Sequence, residues 1–166
     1  YFYLATELTD DMVQTGKNAD ILFIRGLLFG AVMNFNQAIN DYTESLAIAP
    51  NNKLVLLNRA LIRYKMFEAI RSMETESATL PSELKVQNRI AAKPDNNGTE
   101  KTAAPERVLD LDLVMLDIDK AIDIDPNFAI GYYNRGVMMC IRKDFASGLA
   151  DFTKAIKLNP ELAEAY

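Results

Sequence analysis

The sequence predicts an all-α chain folded as an α-solenoid of antiparallel helix pairs, and three observations carry that prediction. Segment 21–50, ILFIRGLLFGAVMNFNQAINDYTESLAIAP, and segment 130–160, IGYYNRGVMMCIRKDFASGLADFTKAIKLNP, share one pattern. In each, an Arg-Gly pair is followed nine residues later by an aromatic and seven later by another: Phe35 and Tyr42, then Phe145 and Phe152. Gly26 and Pro50 lie 24 positions apart, as do Gly136 and Pro160, so the copies align without a gap. Each copy also divides into two stretches with apolar residues at helical spacing, and small residues recur where helices must approach closely.

In chain order, 3–13 reads as a helix with Leu4, Leu8 and Met12 on one face, ending before the Gly16-Lys17-Asn18 turn. Residues 22–33 and 35–48 form the first helix pair about a turn at Asn34, and 132–142 and 145–158 form the last about Asp144. Between them a middle copy is split. Its opening helix, LVLLNRALIRYKMF, follows Pro50, and Asn58-Arg59-Ala60 echoes Asn134-Arg135-Gly136. Its closing helix, LDLVMLDIDKAIDIDPN, ends at Pro126 in the phase of the others. Pro126 to Pro160 is 34 positions, whereas Pro50 to Pro126 is 76, an excess of 42 that an insertion explains.

Within the excess, 67–80 extends the preceding helix, 82–93 forms a short helix, and 94–105 is an exposed linker. The stretch KPDNNGTEKTAAP has almost no large apolar residue with which to offset ordering entropy, so it is expected to be disordered. The predicted organisation is a preceding or capping helix over 1–18, a first repeat over 19–52, and a second over 53–128 with its insertion near 69–105. A third repeat covers 129–162. Residues 163–166 resume the phase of a further first helix, and the Tyr-Phe-Tyr start carries no initiator methionine, so the expectation is a fragment of a longer array.

These residues resemble tetratricopeptide repeats, a family with a 34-residue helix-turn-helix period. The third copy carries the family's bulky, small and aromatic pattern at Tyr132, Gly136, Met139, Gly148, Phe152, Ala155 and Pro160, with Gly148 in place of the usual alanine. The first carries it at Leu22, Gly26, Phe29, Ala38, Tyr42, Ser45 and Pro50, and the middle copy at Leu56, Ala60, Val114, Ile118, Ala121 and Pro126, with Arg63 departing from the pattern. The resemblance implies a right-handed superhelix whose first helices line a concave binding surface. Carried onto this chain, that surface is Phe23, Leu27, Ala31, Leu57, Leu61, Tyr64, Tyr133, Val137 and Ile141, predominantly apolar and suited to an apolar helix or extended peptide. Asn58 and Asn134 resemble groove asparagines that bind a partner's backbone, and Lys65 and Arg142 add positive charge. The alternative for the asparagines is hydrogen bonding within or between helices. The family's carboxylate clamp is incomplete, because Phe23 and Leu27 stand where it wants Lys and Asn.

Composition narrows the function. The chain has no histidine and no tryptophan, which removes Ser-His-Asp catalysis, histidine metal sites and histidine switches. Net charge is -5 at a pI near 4.8, against a general nucleic-acid binder. No apolar run approaches a membrane span; the run 21–33 is interrupted by Arg25. The single cysteine, Cys140, supplies no internal disulfide or C-x-x-C motif and does not identify the compartment, cytoplasmic or exported; among Met138, Met139 and Ile141 it reads as a packed small apolar side chain. The acidic series Asp110, Asp112, Asp117, Asp119, Asp123 and Asp125 reads as a solvated face. Asp123-Ile124-Asp125-Pro126-Asn127 is no calcium loop, since Phe128 replaces the required glycine and Asn134 the bidentate glutamate. Asn97-Gly98-Thr99 is a sequon in the exposed stretch.

The expectation is therefore a non-catalytic protein or peptide interaction scaffold with no cofactor and no metal site. The alternatives are a structural spacer or self-association module, and a substrate-selecting domain of a larger enzyme.

Overall fold

The computed structural model of the chain describes residues 18–79 and 104–165, together with 7, 9–13 and 16. The short helix expected over 82–93, the linker up to 103 and the sequon at Asn97 lie outside the described residues. Among the described residues the helices run in order α1 Ala19–Ala31, α2 Phe35–Ile48, α3 Lys53–Thr79, α4 Ala104–Ile124, α5 Ala129–Ile141 and α6 Phe145–Leu158, with a 3-10 turn at Ala163–Ala165. Residues 9–13 are helical as well. The helices pack as antiparallel pairs α1/α2, α3/α4 and α5/α6, and α3 stacks on α2 as α5 stacks on α4. This is the all-α arrangement of antiparallel helix pairs that the spacing predicts.

Matching turns join α1 to α2 and α5 to α6. Met33 and Lys143 take left-handed backbone conformations with φ of 61° and 65°, without the glycine that usually occupies such positions. Each reverses the chain so that the next amide returns to the finished helix, Asn34 N–H donating to Phe29 O and Asp144 N–H to Met139 O, both at 2.9 Å. Asn34 and Asp144 then cap the following helix, accepting from the Gln37 and Ser147 amides. The Ser147 side chain and amide hold the Asp144 carboxyl below its ordinary range. At the α3/α4 junction no such turn is described: α3 continues unbroken to Thr79, as the helix extension expected over 67–80. The stretch expected as a linker does not keep its last two residues, because α4 opens at Ala104. A proline is tolerated at Pro105 in the first turn, where its missing N–H would have had no helical acceptor.

Packing within each pair rests on a small residue under a large one. A methyl group at Gly26 would lie 2.5 Å from Tyr42 Cε1, and one at Gly136 2.7 Å from Phe152 Cε1. The middle pair keeps the combined volume by another route, placing Ala60 against the α4 position held by the smaller Ile118, both fully buried. Among the described residues Tyr42, Leu22, Leu56, Ile118, Val55 and Val114 are the largest fully buried apolar side chains, and the main core cluster runs from α2 through α3 and α4 to Met138 on α5.

A polar clamp crosses each pair. Arg25 on α1 grips Asp41 on α2 with two parallel bonds, Nε to Oδ2 at 2.8 Å and Nη2 to Oδ1 at 2.6 Å. Arg59 grips Asp117 with the same atoms at 2.8 and 2.6 Å, and Arg135 grips Asp151 at 2.8 Å through both. The third guanidinium nitrogen in each case reaches the preceding helix: Asp10 at 2.7 Å, Thr43 Oγ1 at 3.2 Å and Asp119 at 3.0 Å. One arginine thereby fixes three helices, using the fork geometry that lysine lacks. Asp117 also accepts from Arg63 at 2.6 Å, so the arginine that departs from the repeat pattern is tied into the clamp.

The acidic series is thus not one solvated face. Asp117 is buried, its side chain 3% exposed between two arginines, Asp119 joins the Arg135 clamp, and Asp112 and Asp125 pair with Arg142 and Lys53. Spacing alone missed this because the cationic partners lie on other helices. Asp117→Asn should therefore lower stability by about 3 kcal/mol in urea unfolding, since it leaves two arginines facing a neutral amide. Asp112→Asn, at a half-exposed rim pair, should cost under about 1 kcal/mol.

Candidate functional site

The first helices α1, α3 and α5 present a row of side chains at helical spacing, and the structure gives its members unequal depth. Leu27 is 41% exposed and Ala31 and Lys65 are exposed, whereas Phe23, Leu61, Tyr64, Val137 and Ile141 are half-buried with one side on the core and Tyr133 is half-buried. Phe23 packs on Tyr42 and Tyr133 on Phe152, both with ring centroids 5.9 Å apart and tilted by 48° and 42°. Such tilted aromatic pairs fix ring orientation as well as burying area. Leu57, which occupies the same place on α3, is only 5% exposed and offers almost nothing to a partner.

The two asparagines turn to their own helices. Asn58 Nδ2 donates to Leu54 O at 2.8 Å and Asn134 Nδ2 to Ile130 O at 2.7 Å, with Asn134 only 9% exposed. Of the two readings open for these residues, bonding within a helix is what the geometry displays. The Tyr64 hydroxyl donates to Glu68, and burial together with that carboxylate raises it to about 12, so it stays protonated at neutral pH.

Three exposed residues extend the apolar row beyond the sequence-predicted set: Ile24, Leu54 and Ile130. Each stands three or four positions before a predicted member, Leu27, Leu57 or Asn58, and Tyr133 or Asn134, so the helical period carried the signal. The positive charges near the row are committed elsewhere. Arg25, Arg59 and Arg135 are clamped to aspartates, and Arg142 pairs with Asp112. What remains is a largely apolar strip with Lys65 at its edge.

Among the described residues, no group of three or more His, Cys, Asp or Glu side chains is placed to hold a metal ion. Cys140 is half-buried with Sγ in the space a side chain at Gly148 would need, 2.7 Å from that position, which is a packing role. No helix among the described residues is long and apolar enough to cross a membrane.

Stacked helix pairs with clamped first helices define a helical-repeat protein of tetratricopeptide-repeat-like fold. Solved structures agree. MamA superposes with a TM-score of 0.68 at 12% identity, over 99% of this chain and 72% of that one. The Arabidopsis OM64 TPR domain gives 0.60 at 18% identity, over 89% and 87% of the two chains. The first TPR of Spaghetti (RPAP3), bound to the HSP90 peptide SRMEEVD, gives 0.59 at 16% identity, over 89% and 83%. No family model matches the chain. The DnaJ homolog subfamily C member 7 homolog of Dictyostelium discoideum is 22% identical over 171 residues, which is 95% of this chain but 31% of that protein. At these identities the likeness establishes the fold.

The unequal depth of the row is open to a direct check by thermal or urea unfolding. Leu57→Asp should cost about 3 kcal/mol or more by placing a carboxylate in the core. Leu27→Asp should change stability by no more than about 0.5 kcal/mol.

Proposed function

We propose that the chain is a non-catalytic interaction scaffold that takes a protein or peptide segment on the first-helix face. The observation that carries the reading is the apolar strip of that face, Leu27 and its half-buried neighbours, from which every clamped arginine is withheld. A strip of this kind favours an apolar helix or an extended segment with apolar side chains over an acidic tail. Two of the similar structures are complexes, one with the HSP90 peptide SRMEEVD and the other the TPR2B domain of yeast Sti1 with pHsp70. At the corresponding face this chain has Phe23 and Leu27, which give a terminal carboxylate neither a cation nor an amide. The proposed preference is therefore for apolar partners.

We further propose three repeat units, 19–52, 53–128 and 129–162, the middle one carrying an insertion near 69–105, with 163–166 opening a further unit. The clamp spacing supports this division. Arg25 to Asp41 and Arg135 to Asp151 are 16 positions apart, while Arg59 to Asp117 is 58. The difference is 42, the same excess separating Pro50 from Pro126 beyond one repeat.

Affinity capture with the intact chain, set beside a Leu27→Asp, Val137→Asp double variant of unchanged helical circular dichroism, tests the face. Partners should be lost with the variant, and the peptide SRMEEVD should show no saturable binding to either protein. Retention of every partner by the double variant, or tight binding of the acidic peptide, would sink the reading.

A further inference from the structure

Exposed apolar side chains on a repeated fold divide into those that stacking demands and those it does not, and equivalent positions tell them apart. Counted from the clamp aspartate, Phe145 and Leu149 on α6 match Phe35 and Ile39 on α2 and Leu111 and Met115 on α4, so stacking accounts for their apolar character. Leu113 and Leu116 on α4 have no such match. They stand four residues and one residue before Asp117, where α2 has Gln37 and Asn40 and α6 has Ser147 and Ala150, and they are 37% and 62% exposed.

The helix paired with α4 departs from its counterparts as well. α1 and α5 end six residues after their clamp arginines, at Ala31 and Ile141, whereas α3 runs on past the equivalent Lys65 to Thr79. This overrun carries Met66 and Phe67, half-buried, and then Ile70 and Met73, 45% and 68% exposed. A cavity of about 150 Å3, room for one aliphatic side chain, is lined by Ile39 on α2, Leu113 on α4, and Arg63, Met66, Phe67 and Ile70 on α3. Leu116 lies one turn on from Leu113 and Met73 one turn on from Ile70, so the apolar patch continues along both helices. Its border on α4 is acidic. Asp112, Asp119 and Asp123 share the helix face of Leu116, and Asp112 and Asp119 stay half-exposed beside Arg142 and Arg135.

We propose that this patch is the docking site of the chain's own residues 82–93, turned back along α3 as a helical hairpin about residues 80–82, with Ile90 seated at the cavity and Val86 over Met73. The register favours it. Ile70 lies nine residues before Thr79, Leu113 nine after Ala104 and Ile90 nine after Pro81, so at a rise of about 1.5 Å per residue all three reach the same depth, about 14 Å from the end where α3 stops and α4 starts. Pro81 bars continuation of α3, and a three-residue connection is an ordinary length for a helix hairpin. Charge agrees with register: Lys85, Arg89 and Lys93 recur every four residues beside Val86 and Ile90, a basic stripe for the acidic border of α4. Residues 94–103 span up to about 33 Å when extended, ample for the return to Ala104. Because both ends of 80–103 are tethered beside the patch, the segment competes for it at a high effective concentration, ahead of a partner or a second copy. The docking does not depend on the first-helix strip.

Amide hydrogen exchange of the intact chain, read by mass spectrometry, tests the docking. Amides within 84–92 are expected to exchange about tenfold or more slowly than in an isolated peptide of the same residues. Ile90→Asp, which leaves the described helices untouched, and Met73→Asp, at the exposed end of the patch, should each abolish that protection by setting a carboxylate in the apolar contact. Leu149→Asp on α6 should leave it unchanged. Exchange of 84–92 at the peptide's rate in the intact chain, or protection that survives both Ile90→Asp and Met73→Asp, overturns the proposal. So does protection that grows with protein concentration, which would make the segment of a second copy the occupant.

Discussion

Everything in this fold hangs on a guanidinium that must satisfy its donors across three helices at once. An arginine has five N–H groups and no acceptor, and burying it beside apolar neighbours is costly unless a carboxylate meets it in the plane of the fork. Arg25, Arg59 and Arg135 meet Asp41, Asp117 and Asp151 in that way, and the leftover nitrogen of each finds the helix before. The glycine or alanine following each arginine brings the paired helices close enough for the contact, with Tyr42, Ile118 or Phe152 filling the space beside it. Apolar packing supplies most of the driving force, but it is non-directional. The clamps choose the register in which helices slide to rest.

Much of this was legible in the sequence. The Arg-Gly pair, the aromatics nine and sixteen positions beyond it and the closing proline define the helix pairs, and the unbroken run from Lys53 gives the extension of α3. What was not legible is whatever depends on a neighbour. Asp117 reads as one more acid in an acidic helix until α3 places Arg59 and Arg63 against it. Likewise Phe23, Leu57 and Tyr133 occupy equivalent positions, yet Leu57 is buried while the two rings are half-buried. Local period fixes the face a side chain points from, whereas its depth is set by how many elements stack around it.

That distinction separates two apolar surfaces of the described helices. The first-helix strip is apolar because the arginines of those helices turn toward the aspartates behind them. The outer face of α6 is apolar because it repeats the sequence of faces that are covered elsewhere in the chain. One is a surface left by the clamps and the other has the sequence of a packing face.

On the proposed division, the spacing from arginine to aspartate, not the length of chain between them, defines a unit. Removing residues 69–110 restores a spacing of 16 between Arg59 and the aspartate now numbered 117, and exchanging Met66-Phe67-Glu68 for the Val32-Met33-Asn34 turn supplies the reversal. Urea unfolding of this shortened chain is the most direct measurement. A single cooperative transition with a midpoint close to that of the full chain is predicted. Loss of cooperativity or of helical signal in buffer would contradict the account.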